Sequence, residues 1–209
     1  MAVAGLFVIG FAVAGLDWWA VEQRRHDIER FAKPAVMLVL LVIVAIADLG
    51  AAVDAARWPF AIAVALSLVG DVALLPRFDN FLAGLGAFLA AHVAYIVGLL
   101  SIDRDASWLT WVGVVVVVVA INTVGVRIAR NAGSLRVPVW VYITVISGLV
   151  VSAAGTGSWL AFAGALLFFA SDGLLGWRRF IGAVPGERTA VHVSYHLGQI
   201  GLVAWLVSS

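Results

Sequence analysis

The sequence predicts an all-α bundle of eight transmembrane helices, and three observations lead to that prediction. Of the 209 residues, 64% are hydrophobic and only 12% are charged, whereas a soluble domain carries about 25% charged residues. The apolar residues fall into eight runs, each close to the length of about 20 residues that a transmembrane helix needs. Lys and Arg are concentrated in alternate connections between these runs. A water-soluble domain is therefore almost excluded.

The predicted spans lie between charged, proline and glycine breaks. They cover residues 2–20, 34–50, 58–75, 79–100, 107–125, 137–153, 158–176 and 189–207. We interpret the first run as a retained helix, with a cleaved signal peptide as the minor alternative, because it has neither a basic leading region nor an obvious small-residue cleavage site. No other segment is long enough for a second domain, so residues 1–209 are predicted to form a single eight-helix transmembrane domain.

The basic residues set the expected orientation, because Lys and Arg in short loops determine topology. The odd-numbered connections hold Arg24, Arg25, Arg30, Lys33, Arg77, Arg127, Arg130, Arg136, Arg178, Arg179 and Arg188. The even-numbered connections hold only Arg57 and Arg104. We therefore expect the odd connections to be cytoplasmic and both termini to lie on the extracytoplasmic side of the membrane.

Two aspartates lie inside apolar runs, where ionisable side chains are costly and commonly functional. Asp71 precedes Pro76 by five residues, and Asp172 precedes Arg178 by six. Both carboxylates are thus predicted about 8 to 9 Å inside the cytoplasmic ends of two helices that run in the same direction. The structural alternative is a hydrogen-bonded clamp between helices. We expect the two side chains to meet in one chamber that water can reach.

Other polar side chains fall in the same half of the predicted bundle. The last span carries His192, Tyr195, His196 and Gln199, whose spacing forms one helical face. Lys33 and Tyr142 lie near the cytoplasmic starts of their spans, whereas His92 and Tyr95 lie deeper. Solvated or interfacial positions are expected instead for the acidic residues near helix ends, Asp17, Asp48 and Asp54.

The two halves of the chain resemble each other. His92-Val-Ala-Tyr95 is echoed 100 residues later by His192-Val-Ser-Tyr195, and Asp71 and Asp172 each precede a Leu-rich turn and a Phe. This echo predicts a duplication of four plus four helices with parallel copies. Pro185-Gly186 interrupts the second copy before its His.

The aspartate pair indicates acid and base catalysis. Burial and mutual repulsion prevent two close carboxylates from both being fully ionised, so that one becomes an acid and the other a base. This division suits hydrolysis of an acid-labile bond through an oxocarbenium-like state. The sequence has no Gly-x-Ser-x-Gly elbow and no cysteine, so a lipase mechanism has little support. A P-loop is also absent, and the net charge of +1 gives no argument for nucleic acid.

A set of motifs runs from the second to the last predicted span. It comprises Lys33-Pro34, Gly70-Asp71 with Leu74-Leu75, Phe88-x-x-x-His92-x-x-Tyr95, Tyr142, Gly164-x-x-x-Phe168-x-x-Ser171-Asp172 and Tyr195-x-x-x-Gln199. The combination resembles the YhhN family of lysoplasmalogenases, and it departs from that family at His196, where an aromatic residue is more usual. The resemblance implies a membrane enzyme that hydrolyses the vinyl ether bond of lysoplasmalogens to a fatty aldehyde and a glycerophospho-headgroup, with Asp71 and Asp172 as the catalytic pair.

The remaining roles are hypotheses. Enol ethers hydrolyse by protonation of the β-carbon followed by attack of water, and the two aspartates would share these tasks. Lys33 would attract the headgroup phosphate. Water, substrate or the carboxylates would be oriented by His92, Tyr95, Tyr142, Ser171, Tyr195 and Gln199. Phe88 and Phe168 would line the wall for the alkyl chain or belong to the core. The lipid would arrive from the inner leaflet.

Two alternatives stay open at the level of sequence. A zinc-dependent lipid hydrolase could use His192 and His196 with Asp71, Asp172 or His92. A transporter or lipid-binding protein would use the same polar groups without chemistry. Our prediction includes no cofactor, no metal and no nucleic-acid partner. The expected partners are a lysophospholipid and membrane lipid, and the sequence does not fix the headgroup preference or the oligomeric state.

Overall fold

The computed structural model of the chain describes residues 2–102 and 107–209. Arg104, one of the two basic residues of the even-numbered connections, lies outside the described residues. Over the described part, the protein is helical and contains no strand, which confirms the all-α prediction. Eight long helices in these residues correspond one to one with the eight predicted spans, and seven of them are long and apolar enough to cross a membrane.

The eight long helices follow the predicted order, and the fifth of them consists of two segments, α5 and α6, joined by a π-helical turn. They are α1 (Ala2–Glu22), α2 (His26–Ile46), α3 (Arg57–Ala73), α4 (Phe81–Leu100), α5 (Trp108–Ala120), α6 (Val126–Asn131), α7 (Arg136–Ala154), α8 (Trp159–Phe180) and α9 (Glu187–Ser208). Side chains of Asn80, Ser107 and Ser158 accept hydrogen bonds from backbone N–H groups in the first turns of α4, α5 and α8. Such caps satisfy N–H groups that have no partner inside the helix.

Helix α2 begins at His26, eight residues before the predicted start. Asp27 and Glu29 lie in its first turn, where negative charge stabilises the helix dipole. Pro34, which was predicted to open this helix, therefore lies inside it. The same charged turns explain why α2 is not among the seven apolar helices.

The helix that begins with α5 continues beyond the predicted end at residue 125. A π-helical turn over Ile121–Gly125 joins α5 to α6 and makes one continuous helix as far as Asn131. Asn122 and Thr123 donate side-chain hydrogen bonds to the carbonyls of Val118 and Val119, each at 2.8 Å. Such side-chain competition for backbone carbonyls accompanies local widening of a helix. Arg127 and Arg130 thus belong to a helix end rather than a loop.

The chain divides into two compact units, the first of which contains residues 2–102 and Val203–Ser209. In this unit α1 packs on α2, α2 on α3, and α3 on α4. The core is formed by fully buried aliphatic side chains such as Val36, Leu40 and Val64. The Arg57 guanidinium donates to the carbonyls of Val44 and Ala47 at 3.0 and 2.9 Å. Because the last carbonyls of a helix have no partner inside it, this contact caps the end of α2.

The second unit contains the described residues 107–202. Within it, α7 packs on α5, α6 and α8. The backbones of α8 and α9 approach closely, since an added Cβ at Gly164 would lie 2.8 Å from the Leu202 nitrogen and one at Gly198 would lie 2.7 Å from the Phe168 nitrogen. Small residues at such crossings let helices pack tightly in membranes.

Large apolar side chains are exposed along the helices. Val8 in α1 is 70% exposed, and Trp111 in α5 is 74% exposed. In water each such surface would cost about 25 cal/mol per Å², whereas contact with lipid chains removes this cost. Together with the seven apolar helices, this surface identifies a multi-pass membrane protein.

Candidate active site

Asp71 lies on the buried face of α3 that also carries Phe60, Val64 and Ser67. Its carboxylate is fully buried, and its Oδ1 lies 3.1 Å from Nζ of Lys33. The Lys33 side chain is itself only 10% exposed. Because α2 starts at His26, Lys33 lies inside that helix rather than at its start. The structure therefore pairs the predicted headgroup cation with the predicted catalytic carboxylate.

The packing next to Asp71 depends on Gly70. A Cβ at this position would lie 2.7 Å from the ring of Phe88 on α4. One turn further along α4, His92 is fully buried, and Tyr95 packs edge-on against Phe60 with ring centroids 4.9 Å apart. Phe88, His92 and Tyr95 thus all lie within the core of the first unit, and their predicted contacts with substrate stay predictions.

Asp172 lies on α8 and is partly buried. The hydroxyl of Tyr142 on α7 donates to its Oδ2 at 2.5 Å. The neighbouring Ser171 hydroxyl donates to the Phe168 carbonyl at 2.7 Å and lies 3.4 Å from Asp172 Oδ1. Ser171 is thus bonded mainly to its own helix, whereas Tyr142 bonds the carboxyl group itself.

The polar stripe of α9 is buried, as its spacing predicted. His192, Tyr195, His196 and Gln199 are at most 6% exposed. Tyr195 packs edge-on against Phe168 of α8, with ring centroids 5.4 Å apart, and its ring centroid lies 5.3 Å from that of His196. In the described part of the chain, no group of three or more His, Asp or Glu side chains is arranged to hold a metal ion.

The two units share an arrangement around their aspartates. In each unit the aspartate lies on the third helix, when α5 and α6 are counted as one, and it contacts a residue in the first half of the second helix. The contacts differ in chemistry, because Lys33 is a cation and Tyr142 is a neutral hydroxyl. The helix ends differ as well: α3 ends two residues after Asp71, where Pro76 prevents its continuation, whereas α8 continues for eight residues after Asp172.

Three acidic residues are buried although their sequence positions did not predict it, namely Asp17, Glu29 and Glu187, and the first two lie on buried helical faces. Asp17, expected near a solvated helix end, is fully buried, and Glu29 is 3% exposed with its carboxylate 3.0 Å from His26 Nδ1. The spacing of apolar residues could have revealed Asp17 and Glu29. Asp17 shares a helical face with Gly10, Ala14 and Val21, and Glu29 lies one turn before Lys33 on the face that carries Val36.

Comparison with known proteins decides the family. The sequence profile of the YhhN family matches residues 28–206. This chain belongs to the YhhN family. The YhhN match begins in α2 and ends in α9, so it contains both aspartates and their partners.

Several YhhN relatives carry a functional name. A protein of Mycobacterium tuberculosis (strain CDC 1551 / Oshkosh) named lysoplasmalogenase is 33% identical over 195 residues, which cover 88% of this chain and 72% of the relative. Lysoplasmalogenase TMEM86B of Mus musculus is 23% identical over 202 residues, which cover 94% of this chain and 83% of the relative. No solved structure matches this YhhN protein.

Proposed function

We propose that this protein hydrolyses the vinyl ether bond of lysoplasmalogens and releases a fatty aldehyde and a glycerophospho-headgroup. The observation that carries the proposal is membership of the YhhN family, in which relatives of bacteria and mammals are named lysoplasmalogenase. The multi-pass helical architecture supports a lipid substrate, since a lysolipid keeps its alkyl chain in the bilayer. The chain would act without a cofactor.

Asp71 and Asp172 form the proposed catalytic pair. Each is a carboxyl group on an apolar helix, where an ionisable side chain is costly unless it has a function, and each is held by a contact from the neighbouring helix. One carboxyl group protonates the β-carbon of the vinyl ether, and the other accepts a proton from the attacking water. The resulting hemiacetal then collapses to the aldehyde and the free glycerol hydroxyl.

The other polar residues have proposed supporting roles. Tyr142 orients Asp172 through its hydroxyl. The remaining candidates for orienting water or lipid are His92, Tyr95, Ser171, Tyr195 and Gln199, all of them buried. Phe88 and Phe168 pack in the cores of their own units, and a contact with the alkyl chain is a further part of the proposal.

The proposed orientation in the cell membrane has both termini outside and lipid access from the inner leaflet. The unequal distribution of Lys and Arg supports it. Arg57 is one of the two basic residues in the even-numbered connections, and its position there has a structural reason, because its guanidinium caps the end of α2. A parallel duplication is also proposed, with support from the similar placement of Asp71 and Asp172 on the third helices of the two units.

The decisive experiment measures fatty aldehyde released from lysoplasmalogen by purified protein. Asp71→Asn and Asp172→Asn should each abolish release, since asparagine keeps the shape but cannot exchange a proton at neutral pH. Asp27→Asn is the matched control, because the Asp27 side chain is 57% exposed and pairs with Arg25 at the surface. It should keep wild-type activity.

Other outcomes would support the alternatives. Uptake or binding of the lipid that changes in the Asn variants, without aldehyde from the wild type, would identify a transporter or lipid-binding protein. Bound zinc together with activity lost to a chelator would identify a metal-dependent hydrolase. Full aldehyde release by either Asn variant would remove that aspartate from the catalytic pair.

A further inference from the structure

Positive charge is distributed unequally between the two units. In the first unit, the neighbouring helix ends at residues 22–33 and 71–79 hold five basic and five acidic side chains. In the second unit, the helix ends at residues 127–136 and 172–188 hold six arginines and two acidic side chains. These ends are therefore balanced in charge in the first unit, whereas in the second unit they carry an excess of four positive charges.

An apolar cluster holds the ends of α6, α7 and α8 together in the second unit. An added Cβ at Gly176 of α8 would lie 3.3 Å from the side chain of Ile128 on α6, so these two helices approach closely. The cluster includes the buried Ile128, Ala129 and Val139 and the partly buried Trp140, Trp177 and Phe180. The arginines at these helix ends thus lie around a common apolar centre.

Three of these arginines lie on α6 and at the start of α7. The side chains of Arg127, Arg130 and Arg136 are exposed, and the first two share a helical face because they are three residues apart. Over the described residues, the ion pairs of the second unit include Arg178 with Glu187 at 3.3 Å but none of these three. Like charges that are neighbours on a helix repel each other, and a bound anion would remove that repulsion.

Exposed apolar side chains lie next to the same arginines. Val137, which follows Arg136 directly, is 71% exposed. Exposed cations beside exposed apolar groups at a helix end fit a phospholipid, since guanidinium groups donate to phosphate oxygens while acyl chains cover the apolar side chains. The trimethylammonium group of phosphatidylcholine is repelled by arginine, so a headgroup with net negative charge fits better.

We infer that Arg127, Arg130 and Arg136 form a binding surface for anionic phospholipids of the adjacent leaflet. Each basic side chain close to an anionic membrane surface contributes about a fivefold gain in affinity. The charge-balanced helix ends of the first unit provide no comparable attraction. The inference is independent of the proposed function, because bound lipid rather than released aldehyde is measured.

Native mass spectrometry of the purified chain in detergent measures the lipid preference. Dioleoylphosphatidylglycerol and dioleoylphosphatidylcholine have the same acyl chains, so a difference in their Kd reports the headgroup. The wild type should bind phosphatidylglycerol more tightly, by up to about 100-fold if each of the three arginines contributes about fivefold. Equal Kd values for the two lipids would overturn the inference.

Substitutions locate the binding surface. Arg127→Gln, Arg130→Gln and Arg136→Gln should each raise the Kd for phosphatidylglycerol about fivefold, and the triple Gln variant should lose the preference. All three side chains are exposed, so the variants should fold, and a triple Lys variant should keep the preference because it keeps the charge. Arg25→Gln is the matched control, since it removes an exposed arginine that is paired with Asp27 at 3.1 Å. A preference that survives in the triple Gln variant, or that Arg25→Gln weakens equally, would contradict the assignment.

Two further measurements test the nature of the contact. Glycerophosphoglycerol, the headgroup without acyl chains, should not displace the lipid at equal concentration; displacement would assign the arginines to a soluble phosphate ester and overturn the lipid contact. In phosphatidylcholine vesicles, association of spin-labelled phosphatidylglycerol with the protein should weaken as salt rises from about 0.01 to 1 M, because the Debye length falls from about 30 to about 3 Å. Association that does not respond to salt would also overturn the inference.

Discussion

The contact between α8 and α9 provides a prediction whose size follows from the structure. An alanine at Gly198 would place its Cβ 2.7 Å from the Phe168 nitrogen, 2.9 Å from the Gly164 carbonyl oxygen and 3.1 Å from the Phe168 Cα. All three atoms belong to backbone, so no side chain can rotate away. Reaching an ordinary contact of 3.4 Å requires α8 and α9 to separate by about 0.7 Å.

The matched variant is Gly86→Ala in α4, where an added Cβ meets no atom within 4 Å. Both substitutions gain up to about 1 kcal/mol of helix propensity, so their difference isolates the steric cost at Gly198. Overpacking of this kind costs about 1 to 3 kcal/mol, and each kcal/mol lowers Tm by about 2 to 4 °C in a chain of this size.

Thermal unfolding in detergent measures that difference. Gly198→Ala should melt about 2 to 12 °C below Gly86→Ala, and its activity should fall, since the Phe168–Tyr195 contact spans the same two helices. Equal melting temperatures for the two variants would refute the backbone contact between α8 and α9.

Two further measurements test other parts of the molecule. Tyr142→Phe removes a hydrogen bond to a carboxyl group worth about 1 to 3 kcal/mol, so kcat for aldehyde release should fall about 5- to 150-fold; an unchanged kcat would contradict an orienting role for Tyr142. The chain has no cysteine, so single cysteines at the exposed positions Gln23 and Ala51 can be labelled with an impermeant maleimide. In intact cells Ala51→Cys should react and Gln23→Cys should not, and the reverse pattern would invert the proposed orientation.

The helices were predictable because hydropathy alone locates apolar runs of about 20 residues. The errors lie where charge overrides that rule. The first turns of α2 look like a loop because they carry Asp27 and Glu29, yet acidic residues at a helix start stabilise it. The helix that begins with α5 was predicted to end at residue 125, but it continues through Val126–Asn131, where Arg127 and Arg130 lower the hydropathy and resemble a loop.

The sequence indicates which residues are candidates for a site, but it does not indicate which of them are in contact. Asp71, Asp172, Lys33 and Tyr142 are conspicuous because they are polar groups in apolar surroundings. The contact of Lys33 with Asp71 joins residues 38 positions apart in the chain, and that of Tyr142 with Asp172 joins residues 30 apart. Helical periodicity gives the face on which each side chain lies, but it does not give the rotation that brings two faces together.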